Sequence, residues 1–285
     1  MFFANTSELT EKNAVLTAVT DENGIFTFTN VPYGEYIIKE LNPAEGYLDN
    51  EDIFKVTIST HEQTIELTPI NDRIPELETT ATVDGNKEVN ATEVFTLTDT
   101  VEYKHLVPGK EYVLKGVLMN KATGKALELD GKEITSEVKF TPEQPSGTVD
   151  VLFTFDSKFI KTETQIVAFE YLYKDGKELA THTDIEDEGQ TVTVKIPSIK
   201  TTAKVNGKKK VVAKGNVTIT DTVSYENLTP GKEYEITGVL MDKSTGKPFK
   251  VKGKEITSSI KFVPDKVNGL SLIHISEPTR LLSIS

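Results

Sequence analysis

Apolar and polar residues alternate with a period of two along most of this chain. The alternation is clearest over residues 94–103, 112–119, 149–155 and 166–173. Short stretches rich in Gly, Pro, Asn and Asp separate these segments, and we find no convincing amphipathic helix. This pattern predicts short β-strands joined by turns. We therefore expect an all-β fold of tandem Ig-like or prealbumin-like β-sandwich domains in an elongated chain.

The sequence contains a long internal repeat. Residues 74–142 align without a gap with residues 196–264, and more than half of the aligned residues are identical. A repeat of this length fits tandem whole domains rather than the units of a solenoid. We therefore predict a complete domain at residues 73–195 and a truncated second copy at residues 196–269.

The two ends of the chain differ from the repeat. Residues 1–72 predict a smaller β-sandwich, with strands over residues 36–41 and 53–58, that lacks its first strand. Residues 270–285 break the repeat and resemble the in-frame translation of a sequencing adapter. We therefore expect this tail to lie outside the fold and give His274 no functional weight.

Composition narrows the function classes. The net charge of −12 disfavours a nucleic-acid partner. No apolar run approaches the roughly 18 residues of a membrane helix, so we expect no membrane insertion in this segment. The absence of cysteine excludes disulfides and thiolate nucleophiles. No signal peptide is visible at the start, which predicts either a cytosolic protein or a fragment.

A threonine interrupts the apolar face of the first repeat strand. Leu77, Ala81 and Val83 share the parity of Thr79, whereas Thr80 belongs to the opposite, polar face. Since successive side chains of a strand point to opposite faces, Thr79 is predicted to point into the core.

Further polar residues fall on predicted inner faces. Asp99 stands at an apolar position of its strand, and Gln190 shares the parity of Val192 and Val194. Glu170 shares the parity of Ile166, Ala168 and Leu172, but the other face of its strand is equally apolar, so the alternation alone does not assign Glu170 to the inner face. Buried unpaired polar groups cost about 1–3 kcal/mol each, so these side chains are expected to gather around one another. They form either a hydrogen-bonded core cluster or a reactive site.

The end of the complete domain carries a specific pattern. Residues 167–170 read Val-Ala-Phe-Glu, and residues 182–191 contain H-x-D-x-x-D-x-x-Q-T. Over about residues 73–269, the chain resembles the VaFE, or Thr–Gln ester-bond, domains of Gram-positive surface adhesins. In that family, a threonine on the first strand attacks the side-chain amide of a glutamine on the last strand, forming an intramolecular ester with loss of ammonia.

The resemblance implies a role for each residue of the predicted cluster. Thr79 would be the nucleophile, Gln190 the acceptor, and Asp99, Glu170 and His182 the proton-handling groups. Two carboxylates in a dry core cannot easily both ionise, so Asp99 and Glu170 would share a proton as base and acid. Our hypothesis for His182 is that it orients the amide or relays the proton. Each copy reacts once, so the chain is not an enzyme in the usual sense.

The second copy is incomplete. It has Thr201 and Asp221 at the positions of the threonine and the aspartate, but it lacks counterparts of the Glu, His and Gln. We therefore expect it to stay without a cross-link.

Residues 20–47 resemble the collagen-adhesin B-type, or SpaA prealbumin-like, domain. Such domains form a Lys–Asn isopeptide bond assisted by a buried glutamate. The resemblance implies Glu40 for the glutamate and Asn71 for the asparagine. The strand that would carry the lysine is absent, and Lys12 lies in a polar stretch, so no isopeptide bond is expected here.

Other readings of these residues remain open. The acidic segment 182–188 could bind Ca²⁺, but it lacks the glycine and spacing of an EF-hand loop, and we predict no metal and no cofactor. A hydrolase is another alternative, but it would need substrate access to Glu170 and His182, whereas a stalk domain should bury them. The runner-up is a glycan-binding or matrix-binding sandwich without a cross-link, although the absence of Trp weighs against it. His61, His105 and residues 208–210 are expected on solvated loops.

We thus predict a structural stalk segment of an extracellular, cell-wall-anchored adhesin, stabilised by a Thr79–Gln190 ester. The segment would be a monomer, and a host or matrix ligand would bind through other parts of the protein. The cross-link would replace the disulfides that the chain cannot form.

Overall fold

The computed structural model describes residues 1–4, 8–91, 94–212 and 217–276. Strands dominate these segments, and their helical structure is limited to two single-turn 3-10 helices, Glu11–Asn13 and Ser157–Phe159. The prediction of an all-β chain is confirmed. None of the helices in the described segments has the length and apolar character needed to cross a membrane.

The first unit is a small antiparallel sheet in the order β1-β2-β3. Its strands are β1 (Phe2–Phe3), β2 (Gly34–Ile38) and β3 (Phe54–Ile58). Phe3 and Val56 are its buried apolar residues. Both predicted strands are present, and the first ends at Ile38 rather than at residue 41.

The second unit is a two-sheet sandwich. Its strands are β4 (Glu76–Thr82), β5 (Glu88–Asn90), β6 (Val94–Lys104), β7 (Tyr112–Asn120), β8 (Lys125–Ala126), β9 (Glu128–Leu129), β10 (Lys132–Glu133), β11 (Thr135–Phe140), β12 (Gly147–Asp156), β13 (Thr164–Lys174), β14 (Lys177–His182) and β15 (Thr191–Lys195). The four clearest alternating segments of the sequence correspond to β6, β7, β12 and β13.

One sheet has the order β12-β6-β4, and the other has the order β11-β7-β13-β15-β5. Strand β14 pairs with β13 and β8 with β7, while β9 and β10 form a separate hairpin. All pairs are antiparallel except β15 with β5. The first strand, β4, and the closing strand, β15, therefore belong to different sheets.

Alternate residues of the two sheets meet in one core. Its fully buried members include Leu97, Val101, Leu114, Leu118 and Val151, each 0% exposed. Because the pleat sends every second side chain inward, the same alternation that fills this core also brings polar residues of matching parity into it.

The third unit repeats part of this sandwich. Its strands are β16 (Ser198–Lys204), β17 (Thr218–Glu226), β18 (Tyr234–Val239), β19 (Met241–Asp242), β20 (Lys247–Pro248), β21 (Lys250–Val251), β22 (Lys254–Glu255), β23 (Thr257–Phe262) and β24 (Gly269–Ser276). The sheet β16-β17-β24 keeps the register of β4-β6-β12: Thr201 pairs with Val223 as Thr79 pairs with Val101. Strand β18 pairs with β23, as β7 pairs with β11.

The tail corrects one expectation. Residues 270–276 do not lie outside the fold, because they form most of β24, which pairs along β17. The physical reason is their alternation: Ile273 and Ile275 are buried at the positions that Val151 and Phe153 occupy in the second unit. The origin of this tail stays a prediction, and residues 277–285 lie outside the described residues.

The third unit lacks, among its described residues, the strands that complete the second sheet of the second unit. Among the described residues β18 has a pairing strand on one side only, whereas β7 pairs with β11 and β13. Every residue of β16 is exposed, and Ile199 is 56% exposed. The expected inner face of β16, which carries Thr201, is therefore exposed, because no described strand covers it.

We expect the third unit to be cleaved by proteases before the second. An unpaired edge and an uncovered apolar face lower the free energy of local opening, which is the step that exposes a chain to cleavage. Limited proteolysis of the full chain, with fragments identified by mass, should give first cuts within residues 196–269 and leave residues 73–195 intact. Equal resistance of the two regions would contradict this expectation.

Candidate functional site

Four polar side chains are buried between the sheets of the second unit. Asp99, Glu170 and Gln190 are 0% exposed, and Thr79 is 7% exposed. They come from β4, β6, β13 and the turn that precedes β15. Residues far apart in sequence thus meet in one apolar core, as expected from their parity.

The first sheet supplies the hydroxyl and one carboxyl. Thr79 faces the core and Thr80 faces solvent, in agreement with the alternation. On the neighbouring strand Asp99 pairs in register with Ala81, which lies on the same face as Thr79. The register therefore places the Asp99 carboxyl beside the Thr79 hydroxyl on the inner surface of the sheet.

The second sheet supplies the other carboxyl. Within β13, Ile166, Ala168 and Leu172 are all fully buried with Glu170, which settles the face that the sequence left open. Glu170 lies opposite His182 of β14 on one side and opposite Gly116 of β7 on the other.

Gly116 leaves room for the Glu170 side chain. A Cβ atom at residue 116 would lie 2.4 Å from the Phe153 ring and 2.5 Å from Glu170 Oε1. Both distances are far below van der Waals contact. A glycine is required here because the Glu170 carboxyl and the Phe153 ring fill the space that any side chain would need.

The Gln190 amide is held by backbone carbonyls. Its Nε2 donates to Ala168 O at 2.6 Å and to His182 O at 3.1 Å, while Oε1 has no hydrogen-bond partner. The Ala168 N–H donates to Gln190 O at 3.1 Å. The amide nitrogen is thus fixed against β13 and β14, and the carbonyl group remains open to the other site residues.

The turn before Gln190 is tied to the first strand. Gly189 N–H donates to Asp187 Oδ1 at 2.6 Å, and Thr191 Oγ1 donates to Asp187 O at 2.6 Å. Ala81 N–H donates to Gly189 O at 2.9 Å. These bonds hold the residue preceding Gln190 against β4, two residues from Thr79.

His182 is oriented by a carboxylate of the same turn. Its Nε2 lies 3.1 Å from Asp187 Oδ2, and its Nδ1 is buried without a partner. Sequence reasoning gave Asp187 no role at the site. The available signal was its fixed place in the H-x-D-x-x-D-x-x-Q-T pattern.

Lys87 is a second neighbour that sequence reasoning missed. Its Nζ donates to Gly189 O. Burial lowers the pKa of Lys87, and the negative charges of Asp99 and Asp187 partly oppose this shift. The signal available in the sequence was its place in the repeat, since Lys209 is the aligned residue of the second copy.

Burial favours the protonated forms of both carboxyls. Desolvation raises the pKa of Asp99 to about 7, opposed by its neighbours Thr79, Glu170 and Lys87. Desolvation and the nearby Asp99 charge raise the pKa of Glu170 to about 9. Glu170 is therefore the carboxyl that holds a proton at neutral pH, and Asp99 is the one that readily accepts or releases it.

Many polar atoms of this cluster are buried without a hydrogen-bond partner. They are Thr79 Oγ1, both carboxyl oxygens of Asp99 and of Glu170, Gln190 Oε1 and His182 Nδ1. Thr79 and Glu170 are close enough to Asp99 to change its pKa, although no pair meets the distance and angle of a full hydrogen bond. A cluster serving only structure would be expected to satisfy such groups, so the arrangement favours a reactive site.

The equivalent residues of the third unit do not form this cluster. Thr201 is exposed, and Asp221 has one buried carboxyl oxygen without a partner. The strands that carry Glu170 and Gln190 in the second unit have no counterpart among the described residues of the third.

In the first unit, the two residues assigned by resemblance do meet. Asn71 Nδ2 donates to Glu40 Oε1 at 3.0 Å, and Asn50 Nδ2 donates to Asn71 Oδ1 at 2.8 Å. Glu40 Oε2 is buried without a partner. Lys12 is exposed in the 3-10 helix Glu11–Asn13.

The acidic turn offers little support for a metal site. Within the segments that the structure describes, no three His, Asp or Glu side chains are grouped so that they could hold an ion. His182 and Asp187 face each other as a pair.

Sequence comparison assigns the family. The family model described as "T-Q ester bond containing domain" matches residues 75–194 and 197–282. The SpaA family model, described as "Prealbumin-like fold domain", matches residues 5–73. The chain belongs to the family of T-Q ester bond containing domains, preceded by a SpaA prealbumin-like domain. No curated protein matches the chain.

Solved structures similar to this chain include an adhesin and a pilin. The adhesin, from Mobiluncus mulieris, is described as containing intramolecular disulfide, isopeptide and ester bond cross-links; it is 17% identical, with 71% of this chain and 98% of that chain covered and a TM-score of 0.41. The major pilin subunit of Bacillus cereus is 14% identical, with 96% of this chain and 81% of that chain covered and a TM-score of 0.43. At these TM-scores the likeness is too low to support an argument about the fold or the function.

We expect Gly116→Ala to lower the unfolding free energy of the second unit by about 1–3 kcal/mol, since the new methyl group overlaps a packed ring and the Glu170 carboxyl. Urea titration of the full chain measures the loss. Gly238→Ala is the matched control, because the tightest neighbour of a Cβ there would be the movable tip of Ile275, Cδ1 at 3.0 Å, and its other neighbours lie at ordinary contact distance. Equal losses in the two variants would contradict the proposed overlap at Gly116.

We also expect the second unit, without a cross-link, to lose stability as pH rises. The Glu170 pKa is raised from 4.5 to about 9, so between these values the folded chain holds more protons than the unfolded chain and rising pH favours unfolding. A Thr79→Val chain should therefore show a falling unfolding free energy from pH 5 to pH 9. Adding Glu170→Gln should remove the fall above about pH 7 and leave the smaller fall that Asp99, with its pKa raised to about 7, contributes below it. Adding Glu137→Gln, at an exposed site, should leave the dependence unchanged.

Proposed function

We propose that the second unit forms an intramolecular ester between Thr79 Oγ1 and Gln190 Cδ. The chain would thereby serve as a structural stalk segment of a surface adhesin. The observation that carries the proposal is the meeting of a threonine hydroxyl, an amide with an open carbonyl and two carboxyls of raised pKa in one dry core. Membership of the T-Q ester bond family supports it.

The step balances with the groups at the site. Asp99 as carboxylate takes the proton of the Thr79 hydroxyl while Oγ1 attacks Gln190 Cδ. Glu170 as carboxylic acid gives its proton to Nε2, the Cδ–Nε2 bond breaks, and ammonia leaves. The two carboxyls hold one proton between them before and after the step, so the pair is regenerated.

The fold supplies what a weak nucleophile needs. Two backbone carbonyls hold the amide nitrogen, and the bond from Ala81 N–H to Gly189 O keeps the closing turn beside β4. Fixing two reactants in this way replaces a second-order encounter by a local one. In this proposal His182 orients the amide or relays a proton; its pairing with Asp187 and the hydrogen bond from Nε2 to its backbone carbonyl support that role.

The bond would have a mechanical consequence. Thr79 lies in β4 and Gln190 directly precedes β15, so the ester would join the two sheets. Closing a loop of more than a hundred residues stabilises a fold by about 4–5 kcal/mol in the chain-entropy picture. Such a bond suits an extracellular, wall-anchored stalk without cysteine, which acts as a monomer while other parts of the protein bind the host or matrix ligand.

We expect the full chain to weigh one ammonia less than its sequence requires. Intact mass would show the loss, and peptide mapping would locate the joined peptides at Thr79 and Gln190. Hydroxylamine, which cleaves esters, should open the link. Thr79→Val and Gln190→Ala should both restore the sequence mass.

The controls are residues of the same type outside the site. Thr80→Val changes the exposed neighbour of Thr79, and Gln165→Ala changes an exposed glutamine of β13, so both should keep the mass loss. An unshifted mass in folded parent protein would overturn the proposal and leave a polar core in a glycan-binding or matrix-binding module as the better account.

A further inference from the structure

Lys87 connects the closing turn to the rest of the site. It lies between the Val83–Asn86 bridge that follows β4 and the start of β5. Its ammonium donates to Gly189 O, and its own carbonyl accepts from Thr193 N–H at 2.7 Å. Both the side chain and the backbone of Lys87 thus bind the segment around Gln190.

The Gly189 carbonyl is where three parts of the unit converge. It accepts from the Lys87 ammonium and from Ala81 N–H at 2.9 Å. Gly189 directly precedes the glutamine, and Ala81 is two residues from Thr79. Holding this one carbonyl therefore fixes the distance between the strand of the hydroxyl and the turn of the amide.

Lys87 is also a positive charge that interacts electrostatically with the Asp99 carboxyl. The groups that act on Asp99 are Thr79 from β4, Glu170 from β13, Asp187 from the closing turn and Lys87 from the segment before β5. Burial lowers the pKa of Lys87, and the negative charges of Asp99 and Asp187 raise it. In return, the ammonium favours the carboxylate form of Asp99, which burial disfavours.

The third unit shows that this placement depends on the closing turn. Lys209 occupies the repeat position of Lys87 but is exposed, while Lys87 is half-buried. The described residues of the third unit include no counterpart of Gly189 to which Lys209 could donate. The lysine is half-buried in the unit that has the glutamine-bearing turn and exposed in the unit where no such turn is described.

We propose that Lys87 is a positioning residue for ester formation, with two effects on one site: its ammonium holds Gly189, and so Gln190, against β4, and it places a positive charge beside the base Asp99. This inference rests on the proposed ester-forming function. The charge has an effect that can be measured separately, because it lowers the pH at which Asp99 becomes a base. A lysine that served only as a hydrogen-bond donor to Gly189 would not alter that pH.

The test is the pH dependence of cross-linking. The full chain is made by cell-free synthesis and diluted into buffers from pH 5 to pH 9, and the fraction that has lost ammonia is followed by mass over time. In the parent the rate should rise with pH as Asp99 gives up its proton. In Lys87→Met the rate should fall and the midpoint of this rise should move up by about one pH unit, because the charge that favours the carboxylate is gone.

Two variants separate charge from packing. Lys87→Arg keeps the positive charge and should bring the midpoint back to that of the parent. Its rate can stay below that of the parent, because the planar guanidinium group reaches Gly189 O less well than the lysine ammonium does. Lys195→Met is the matched control: Lys195 lies on β15, the strand that pairs with β5, but its ammonium binds the exposed Glu88 at 2.6 Å. It should change neither rate nor midpoint. A lower rate at every pH with an unmoved midpoint in Lys87→Met would overturn the electrostatic role.

A separate measurement keeps this inference distinct from the ester itself. If the parent chain loses no ammonia, the proposed function fails, and the effect of Lys87 on Asp99 is then read directly. Carboxyl ¹³C NMR of Thr79→Val with and without Lys87→Met gives the Asp99 pKa in the folded chain. A higher pKa without the lysine supports the interaction, and an unchanged pKa overturns it.

Discussion

Removing two carboxyls from water is the constraint on which the second unit depends. Asp99 and Glu170 lie fully inside an apolar core, where charge is costly and two adjacent charges are costlier still. The raised pKa values of both groups are the direct result. A carboxyl that keeps its proton at neutral pH next to one that can lose it is a ready acid–base pair. The desolvation that makes these carboxyls costly to the fold would thus also prepare them for the proposed ester formation.

The surrounding structure arranges the remaining groups around this pair. Gly116 provides the space for Glu170, and the backbone carbonyls of Ala168 and His182 hold the Gln190 amide. The closing turn is tied to β4 through Gly189 O. Each of these contacts comes from the main chain or from a missing side chain. The site is therefore built mainly by strand register rather than by flexible side chains, which suits the proposed ester formation within one folded unit.

The third unit serves as a comparison inside the same chain. It keeps the first sheet in the same register but has no described strands corresponding to β13–β15. Its threonine and the lysine of the equivalent position are exposed, and the face of β16 is uncovered. The same local sequence thus gives the same strands, while Thr201 and Lys209 stay exposed at the positions where Thr79 is buried and Lys87 is half-buried.

Much of this could be predicted from the sequence. Alternation identified the main strands and assigned Thr79 rather than Thr80 to the core, because side-chain direction in a strand depends only on parity. The repeat located the tandem units, and the H-x-D-x-x-D-x-x-Q-T pattern brought His182 and Gln190 to attention. Alternation could not choose a face for Glu170, since both faces of β13 are apolar, and it did not anticipate that residues 270–276 form a strand.

Only the tertiary structure decided how these residues meet. The pairing of Glu170 with Gly116 and the placement of Lys87 against Gly189 join segments that lie far apart in sequence, and the contact between His182 and Asp187 depends on the fold of the closing turn. The pKa values follow from the number of neighbours that exclude water, which no local pattern records. The sequence determined which residues point inward. The closure of one sheet over the other determined which of them became neighbours and how strongly they were desolvated.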